Sequence, residues 1–412
     1  MILFCEECGT RHDIDENLFS DNRCQFTCHV CSEKLVVSLV DKAQGKTIEA
    51  AMQQDMDSAR EISGKPLNVL VVDDSRMIRR VLSDIIESRG DKKVVGEAEN
   101  GKEALSLLKT TEPDVITLDI NMPVMDGLTT LKHIMINNPT PTIMISALTQ
   151  EGAAETFDSL KYGAVDFLAK PKSVKGGDLA SQQEEILRKI ELVAAVQIES
   201  IRYLRRPIRE KSKTLTDPSA SSNVLTIGVS EGGYGALLNV IPRIKADAAA
   251  AYVAVMRQSP EHIDAFARYL DNCSELSVER AVEGTILANG TCYLAAAKEH
   301  VSIGFSGNRP CITRHPNNRN GGGEAIDQLM ISAAEHLKDK ASGIILTGTG
   351  SDGIKGLGEI IKTGGAAFVQ DPRSCLFKET PTLATELYTV DNTVSDKQMA
   401  GAINAFIESI TR

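Results

Sequence analysis

From Asn68 onward the chain alternates between short apolar runs and stretches with helical spacing. Asn68-Val-Leu-Val-Val-Asp73-Asp74 reads as a buried strand that ends in two acids. Residues 94–98, 114–119, 142–146 and 164–169 read as four further strands, separated by helical periods over 76–89, 101–111, 126–137 and 150–161. Five such β/α units predict a doubly wound parallel sheet with its site at the carboxyl ends of the strands. A second strand–turn–helix pattern begins at Asn223-Val-Leu-Thr-Ile-Gly228 and recurs at Tyr252-Val-Ala-Val-Met256 and Gly343-Ile-Ile-Leu-Thr347.

Between these regions a helical stretch runs from about Leu179 to Leu204. Leu187, Ile190, Ala194, Ile201, Leu204 and Ile208 recur near heptad spacing, with Gln197 interrupting. Two readings stay open: a last helix of the first sheet that runs on as a signalling helix, or an amphipathic helix lying on one of the domains. Residues 205–222 are basic and then rich in Ser and Pro, a flexible linker. Residues 41–66 are polar and predict a short helix at most, then a linker.

A length of 412 residues suits two or three domains, each able to bury its own core. The formal net charge of −11 argues against a general nucleic-acid binder, which needs a basic face. No apolar run reaches the roughly 18 residues that span a bilayer, and the start Met-Ile-Leu-Phe-Cys-Glu-Glu lacks the pattern of a signal peptide. A cytoplasmic protein is expected, and its cysteines need no disulfides there.

Five of the nine cysteines nevertheless fall within the first 31 residues. Cys5-Glu-Glu-Cys8 and Cys28-His-Val-Cys31 form two CxxC knuckles, a spacing that suits a tetrahedral four-thiolate zinc site. Such a short segment buries too little apolar surface to fold alone, so the metal would hold it together. Four thiolates leave no open position for a substrate, which makes the site structural. Cys24, His12 and His29 are further ligand candidates, and Cys24 can replace one of the four.

In the first sheet Asp73 and Asp74 end one strand and Asp119 another. Three carboxylates at one sheet edge repel one another without a cation. A hard, oxygen-seeking ion such as Mg2+ satisfies them while keeping its waters. Ser146 ends the fourth strand and Lys170 follows the fifth, adding a hydroxyl and an ammonium. Together they suit an acyl phosphate on Asp119.

Residues 67–172 therefore resemble a response-regulator receiver domain. The resemblance rests on Asp73/Asp74, Asp119-Ile-Asn-Met-Pro-Val-Met-Asp-Gly127, Ser146 and Lys170-Pro171. It implies Asp119 as phosphoacceptor, Ser146, Phe167 and Lys170 as switch residues, and a cis peptide before Pro171. It also implies metal contact from Asp74, Asp119 and the carbonyl of Asn121, with Asp73 in the acidic cluster, and a histidine kinase as phosphodonor.

The second pattern places Ser230 in a Gly-flanked turn, Gly228-Val-Ser-Glu-Gly-Gly233, and later carries Leu346-Thr-Gly-Thr-Gly-Ser-Asp-Gly353. Such turns expose a serine beside free backbone N–H groups. With Tyr293-Leu-Ala-Ala296 before His300, and Val369-Gln-Asp-Pro372, residues from about 223 to 410 resemble the catalytic domain of the chemotaxis protein-glutamate methylesterases, the CheB family. That family hydrolyses glutamate methyl esters on chemoreceptors with a Ser-His-Asp triad. The resemblance maps Ser230 as nucleophile and Asp352 as orienter. The general-base position falls on Gln258, in Arg257-Gln-Ser-Pro260, and an amide cannot take a serine proton. Glu231 stands where threonine is usual, and a carboxylate there opposes a developing oxyanion. Thr349 replaces a methionine. His262 is a possible substitute base, against the plainer reading of a solvated histidine near a helix start. His300 reads as a binding-cleft or hydrogen-bonded residue.

The expected fold is two doubly wound α/β domains, a flavodoxin-like receiver and a CheB-type esterase domain, plus a small zinc ribbon. The expected boundaries are 1–40 for the ribbon, 67–172 for the receiver, 173–222 for connector and linker, and 223–412 for the methylesterase-like domain. The expected function is a phosphorylation-controlled chemotaxis response regulator acting on methylated chemoreceptors or a related signalling protein, its hydrolysis impaired at Gln258. Whether it is an enzyme stays open, since the alternative is a non-enzymatic phospho-switch whose esterase-like domain only binds a partner. A ribbon that binds nucleic acid in a transcription regulator is a third, distant reading. Neither nucleic-acid binding nor membrane insertion is expected.

Overall fold

The computed structural model describes residues 2–4, 11–13, 23–27, 34–38, 66–146, 153–171, 178–196, 198, 220–247, 249–314 and 324–411. Two compact units divide the chain: Met1–Ala147 with Tyr162–Arg205, and Leu148–Lys161 with Arg206–Arg412.

The first unit begins with two small antiparallel hairpins. β1 (Ile2–Phe4) pairs with β2 (Arg11–Asp13), and β3 (Arg23–Thr27) pairs with β4 (Lys34–Ser38). In sequence each pair brackets one CxxC knuckle. Cys5, Cys8, Cys28 and Cys31 themselves, like the linkers 41–65 and 205–219, lie outside the described residues.

The first sheet contains β5 (Leu67–Val72), β6 (Lys92–Ala98), β7 (Val115–Asp119), β8 (Thr142–Ser146) and β9 (Asp166–Ala169), all parallel, in the order β6-β5-β7-β8-β9. Parallel strands covered on both faces read as continuous apolar runs, and Val69–Val72 are wholly buried. The first three strands in chain order each hand the chain to a helix through a polar cap. Ser75 caps α1 (Arg76–Glu87), Asn100 caps α2 (Gly101–Leu107) and Asp126 caps α3 (Gly127–Asn137), each side chain accepting a free first-turn N–H.

α4 (Ala153–Lys161) follows β8 in the chain but belongs to the second unit. α5 (Asp178–Ala194) closes the first unit. Its buried residues Ile186, Leu187, Ile190 and Val193 follow the amphipathic period of a helix lying on its own sheet. The helix ends at Ala194, ten residues short of the sequence expectation, and Ile201, Leu204 and Ile208 lie outside the described residues. The described part fits both sequence readings, since each has the helix packed on its own sheet to this point.

The second sheet has seven parallel strands in the order β12-β13-β11-β10-β16-β17-β18. They are β10 (Val224–Val229), β11 (Ala251–Met256), β12 (Ser277–Arg280), β13 (Thr291–Ala296), β16 (Ala341–Ile345), β17 (Ala366–Gln370) and β18 (Asn392–Val394). An antiparallel hairpin, β14 (Val301–Ser306) with β15 (Arg309–Arg314), stands apart from the sheet and was not foreseen. Helices α6 (Gly233–Val240), α7 (Pro260–Cys273), α8 (Ala325–Leu337), α9 (Ile354–Lys362), α10 (Glu379–Leu387) and α11 (Asp396–Thr411) complete the unit. On α4, Phe157 is wholly buried among Phe266, Tyr269 and Tyr234, with ring centroids 5.1, 5.3 and 5.7 Å away.

Among the described residues no helix is long and apolar enough to cross a membrane.

Candidate functional sites

At the carboxyl edge of the first sheet, Asp73, Asp74 and Asp119 each offer an oxygen, and the three oxygens lie within 4.8 Å of one another. β5 and β7 are neighbours in register, Val72 opposite Leu118, so the acids that end them must converge. Asp73 is wholly buried and Asp74 exposed, which gives the cluster a floor and an open side. The Ser75 N–H donates to Oδ1 of Asp73 at 2.8 Å, while no donor is aligned on its buried Oδ2. Lys170 Nζ donates to Oδ2 of Asp119 at 2.8 Å and lies 3.0 Å from Oδ2 of Asp73 as an ion pair.

Burial raises the Asp119 carboxyl above its ordinary range, and the nearby Asp73 adds to this. Lys170 and the Asn121 N–H oppose it. Two carboxylates on one ammonium leave negative charge uncompensated, and an unaligned buried oxygen remains. That donor set fits a small, hard divalent cation.

Ser146 ends β8 and is buried; the Lys170 N–H donates to its carbonyl at 2.9 Å. Phe167 is wholly buried. Gly127 lets the loop after Asp119 return, because a Cβ there would lie 2.0 Å from the Asp119 carbonyl oxygen. The peptide before Pro171 is trans, since no described peptide bond is cis, which corrects the expected cis bond.

At the second sheet the chain departs from β10 toward β11 on one side and meets β16 on the other. Ser230 follows β10 at this switch point, where open α/β sheets place their ligands. Its Oγ accepts the Thr349 N–H at 2.9 Å. Gly348 makes this approach possible, because a Cβ there would lie 2.2 Å from Ser230 Oγ. Glu231 is buried beside it, and its Oε2 accepts the Thr349 hydroxyl at 2.8 Å. A carboxylate is therefore bonded to the hydroxyl of the residue whose N–H donates to the serine.

The other mapped residues are distributed differently. Asp352 is buried, and its Oδ1 accepts the N–H groups of Ile326 at 3.1 Å and Asp327 at 3.0 Å. In return Asp327 Oδ1 accepts the N–H of Gly356 at 2.6 Å. Each acid thus caps the other's partner helix, Asp352 serving α8 and Asp327 serving α9. Burial raises both carboxyls; backbone N–H groups oppose this, and the Arg257 charge also opposes it at Asp352. The half-buried Gln258 side chain makes no hydrogen bond among the described residues. His262 stands in the first turn of α7, half-buried. His300 holds a left-handed backbone, φ 46°, with Nδ1 3.2 Å from Gln328 Oε1.

Sequence reasoning missed what holds the Thr347–Gly350 loop. Gln370 Oε1 accepts the Thr347 N–H at 3.0 Å. Thr347 Oγ1 accepts the Phe377 N–H at 3.0 Å, and Phe377's carbonyl accepts the Gly348 N–H at 2.9 Å. Thr380 Oγ1 donates to the Gly350 carbonyl at 2.8 Å. The Val369-Gln-Asp-Pro372 motif was the visible signal, but nothing in it announced which loop Gln370 would support.

An acidic phospho-type pocket on one parallel sheet and a serine turn on another define a response regulator joined to an esterase-type effector. Comparison with known proteins agrees. Residues 69–177 match the response regulator receiver domain, and residues 225–403 match the CheB methylesterase family. A protein-glutamate methylesterase/protein-glutamine glutaminase of Pyrococcus abyssi is 36% identical over 356 residues, 85% of this chain and 96% of that one. Its counterpart from Thermotoga maritima is 36% identical over 316 residues, 76% of this chain and 91% of that one. The crystal structure of the Thermotoga maritima CheB methylesterase catalytic domain aligns at 26% identity, covering 45% of this chain and 99% of that one, with a TM-score of 0.43. The chain belongs to the chemotaxis CheB methylesterase family of receiver-linked response regulators.

Proposed function

We propose that this chain is a phosphorylation-controlled chemotaxis regulator whose methylesterase-like domain has lost, or nearly lost, ester hydrolysis. The observation that carries the reading is Gln258 in the position of the general base, a side chain with no basic nitrogen. Two others support it. Glu231 and Thr349 are bonded to each other beside Ser230, so a carboxylate faces the place where negative charge would develop. Asp352 already has a structural task, capping α8, so its retention is no sign of a working triad.

Asp119 would accept the phosphoryl group from a histidine kinase. Asp73, Asp74, Asp119 and the Asn121 carbonyl would hold Mg2+, which when bound neutralises charge on the phosphoryl oxygens. Lys170 and Ser146 would take the remaining oxygens. α4, which follows Ser146 in the chain, is part of the unit that carries Ser230, and this connectivity gives the switch a route to the effector. The effector would bind methylated chemoreceptor or a related signalling protein. Cys5, Cys8, Cys28 and Cys31 would hold a structural zinc, a reading supported by their spacing and by the paired strands that bracket each knuckle.

The test is binding and turnover on one methylated receptor preparation. Binding without methanol release supports the reading; methanol release at the rate of a relative with an intact triad removes it. Loss of His262 then decides whether that residue serves as base.

A further inference from the structure

α5 and β9 are joined by a charge that the phosphoryl site does not use. β9 is the outer strand of the first sheet and pairs on one side only, with β8. An outer strand leaves main-chain groups without ladder partners. At Phe167 both are taken up from outside the ladder. Its N–H donates to Oδ1 of Asp166 at 2.8 Å, and its carbonyl accepts from Lys189 Nζ, on α5, at 2.9 Å. The same ammonium lies 2.9 Å from the other oxygen of Asp166 and 5.7 Å from the centre of the Phe167 ring. The Lys189 side chain is only 7% exposed. A lysine this dry is held by its partners, and here they close a ring around one residue of the edge strand.

Three residues further along, Lys170 places its own ammonium 2.8 Å from Asp119. α5 has other anchors, since Glu191 pairs with Lys92 at 2.6 Å and Glu184 with Arg89 at 3.1 Å. Holding α5 in place is therefore not Lys189's task alone. We propose that Lys189 is a positioning residue for Lys170: from α5 it fixes the Asp166–Phe167 segment of β9 and so sets where Lys170 meets Asp119. The inference rests on Asp119 as the phosphoacceptor.

The test uses the full chain, a small phosphodonor and a magnesium series. Lys189→Met should lower the maximal rate of phosphoryl incorporation at least roughly fivefold, the low end of ordinary site coupling. The magnesium concentration for half-maximal rate should stay unchanged, because the three acids are untouched. Lys189→Arg, which still donates to the carbonyl and the carboxylate, should recover most of the rate. Should Lys189→Met alone not fold, Asp166→Asn/Lys189→Met removes both charges together and should show the same slow rate. A wild-type rate in the folded variant overturns the proposal. So does a loss that Lys189→Arg does not rescue, or one that comes with weakened magnesium dependence, since either marks a general defect. No phosphorylation of the wild type would remove the Asp119 reading, and this inference with it.

Discussion

The two sheets place their chemistry by the same rule and differ in what their acids are doing. At the first sheet the acids face one another and a single lysine, and one buried oxygen of Asp73 has no aligned donor. Three carboxylates on one ammonium leave negative charge for a cation to offset. At the second sheet Asp352 is satisfied already, because it spends its carboxylate on the amides of α8. Carboxylates in excess of their cations point to a metal; carboxylates spent on backbone amides point to the fold. Capping alone is reason enough for an acid at position 352.

The largest effect that would break this contrast lies in the first sheet. Asp119→Asn should abolish phosphoryl incorporation from a small donor, read by mass mapping of the labelled site. Label at another residue, or label that survives the substitution, would show the acids are not a phosphoacceptor site.

Next in size is rescue of the second site. Gln258→His with Glu231→Thr restores a base and removes the opposing carboxylate. Because losing one triad member costs about 10⁴- to 10⁶-fold, even a partial rescue should raise methanol release by on the order of 10³-fold. Gln258→His alone should gain less, since Glu231 stays bonded to Thr349.

Asp352→Ala separates capping from catalysis. It leaves buried α8 amides without an acceptor, a cost of about 1–3 kcal/mol, and should lower the melting temperature of the second unit. Wild-type ester turnover, already at background on this account, should not fall with it. A variant that melts like wild type would show the caps contribute nothing.

The smallest effect is a pH dependence at the first site. The fold raises the Asp119 carboxyl, so its contribution to stability is full below the ordinary value of 3.8 and is lost as pH rises through the folded value. Mg2+ binds the charged form and should reverse that trend. Melting of the first unit against pH, with and without Mg2+, measures it, and Asp119→Asn should flatten the magnesium-free trend.

Much of this was legible in sequence because buried parallel strands are written as unbroken apolar runs, and the acids and glycines that follow them mark the functional edge. Asp73, Asp119, Ser146 and Lys170 all fall at such ends. The Asp352–Asp327 exchange was not legible, since the amide that Asp352 caps lies 26 residues away in a separate helix. The β14–β15 hairpin carried a signal in Ser306-Gly-Asn-Arg309, a two-residue Gly-Asn turn between paired strands, with Gly307 at φ 62°. It was obscured because Val301–Arg314 interrupts a region otherwise built from parallel units. The end of α5 was not legible because heptad and amphipathic spacing differ by only about 20° per heptad, too little to mark a stop at Ala194.

The most direct measurement is methanol release from methylated receptor by the wild-type chain, phosphorylated and unphosphorylated, beside a family member that has histidine at the position of Gln258. The account predicts phosphorylation at Asp119 with methanol release at the background of a Ser230→Ala variant in both states. Release that rises on phosphorylation toward the rate of the intact relative would contradict it.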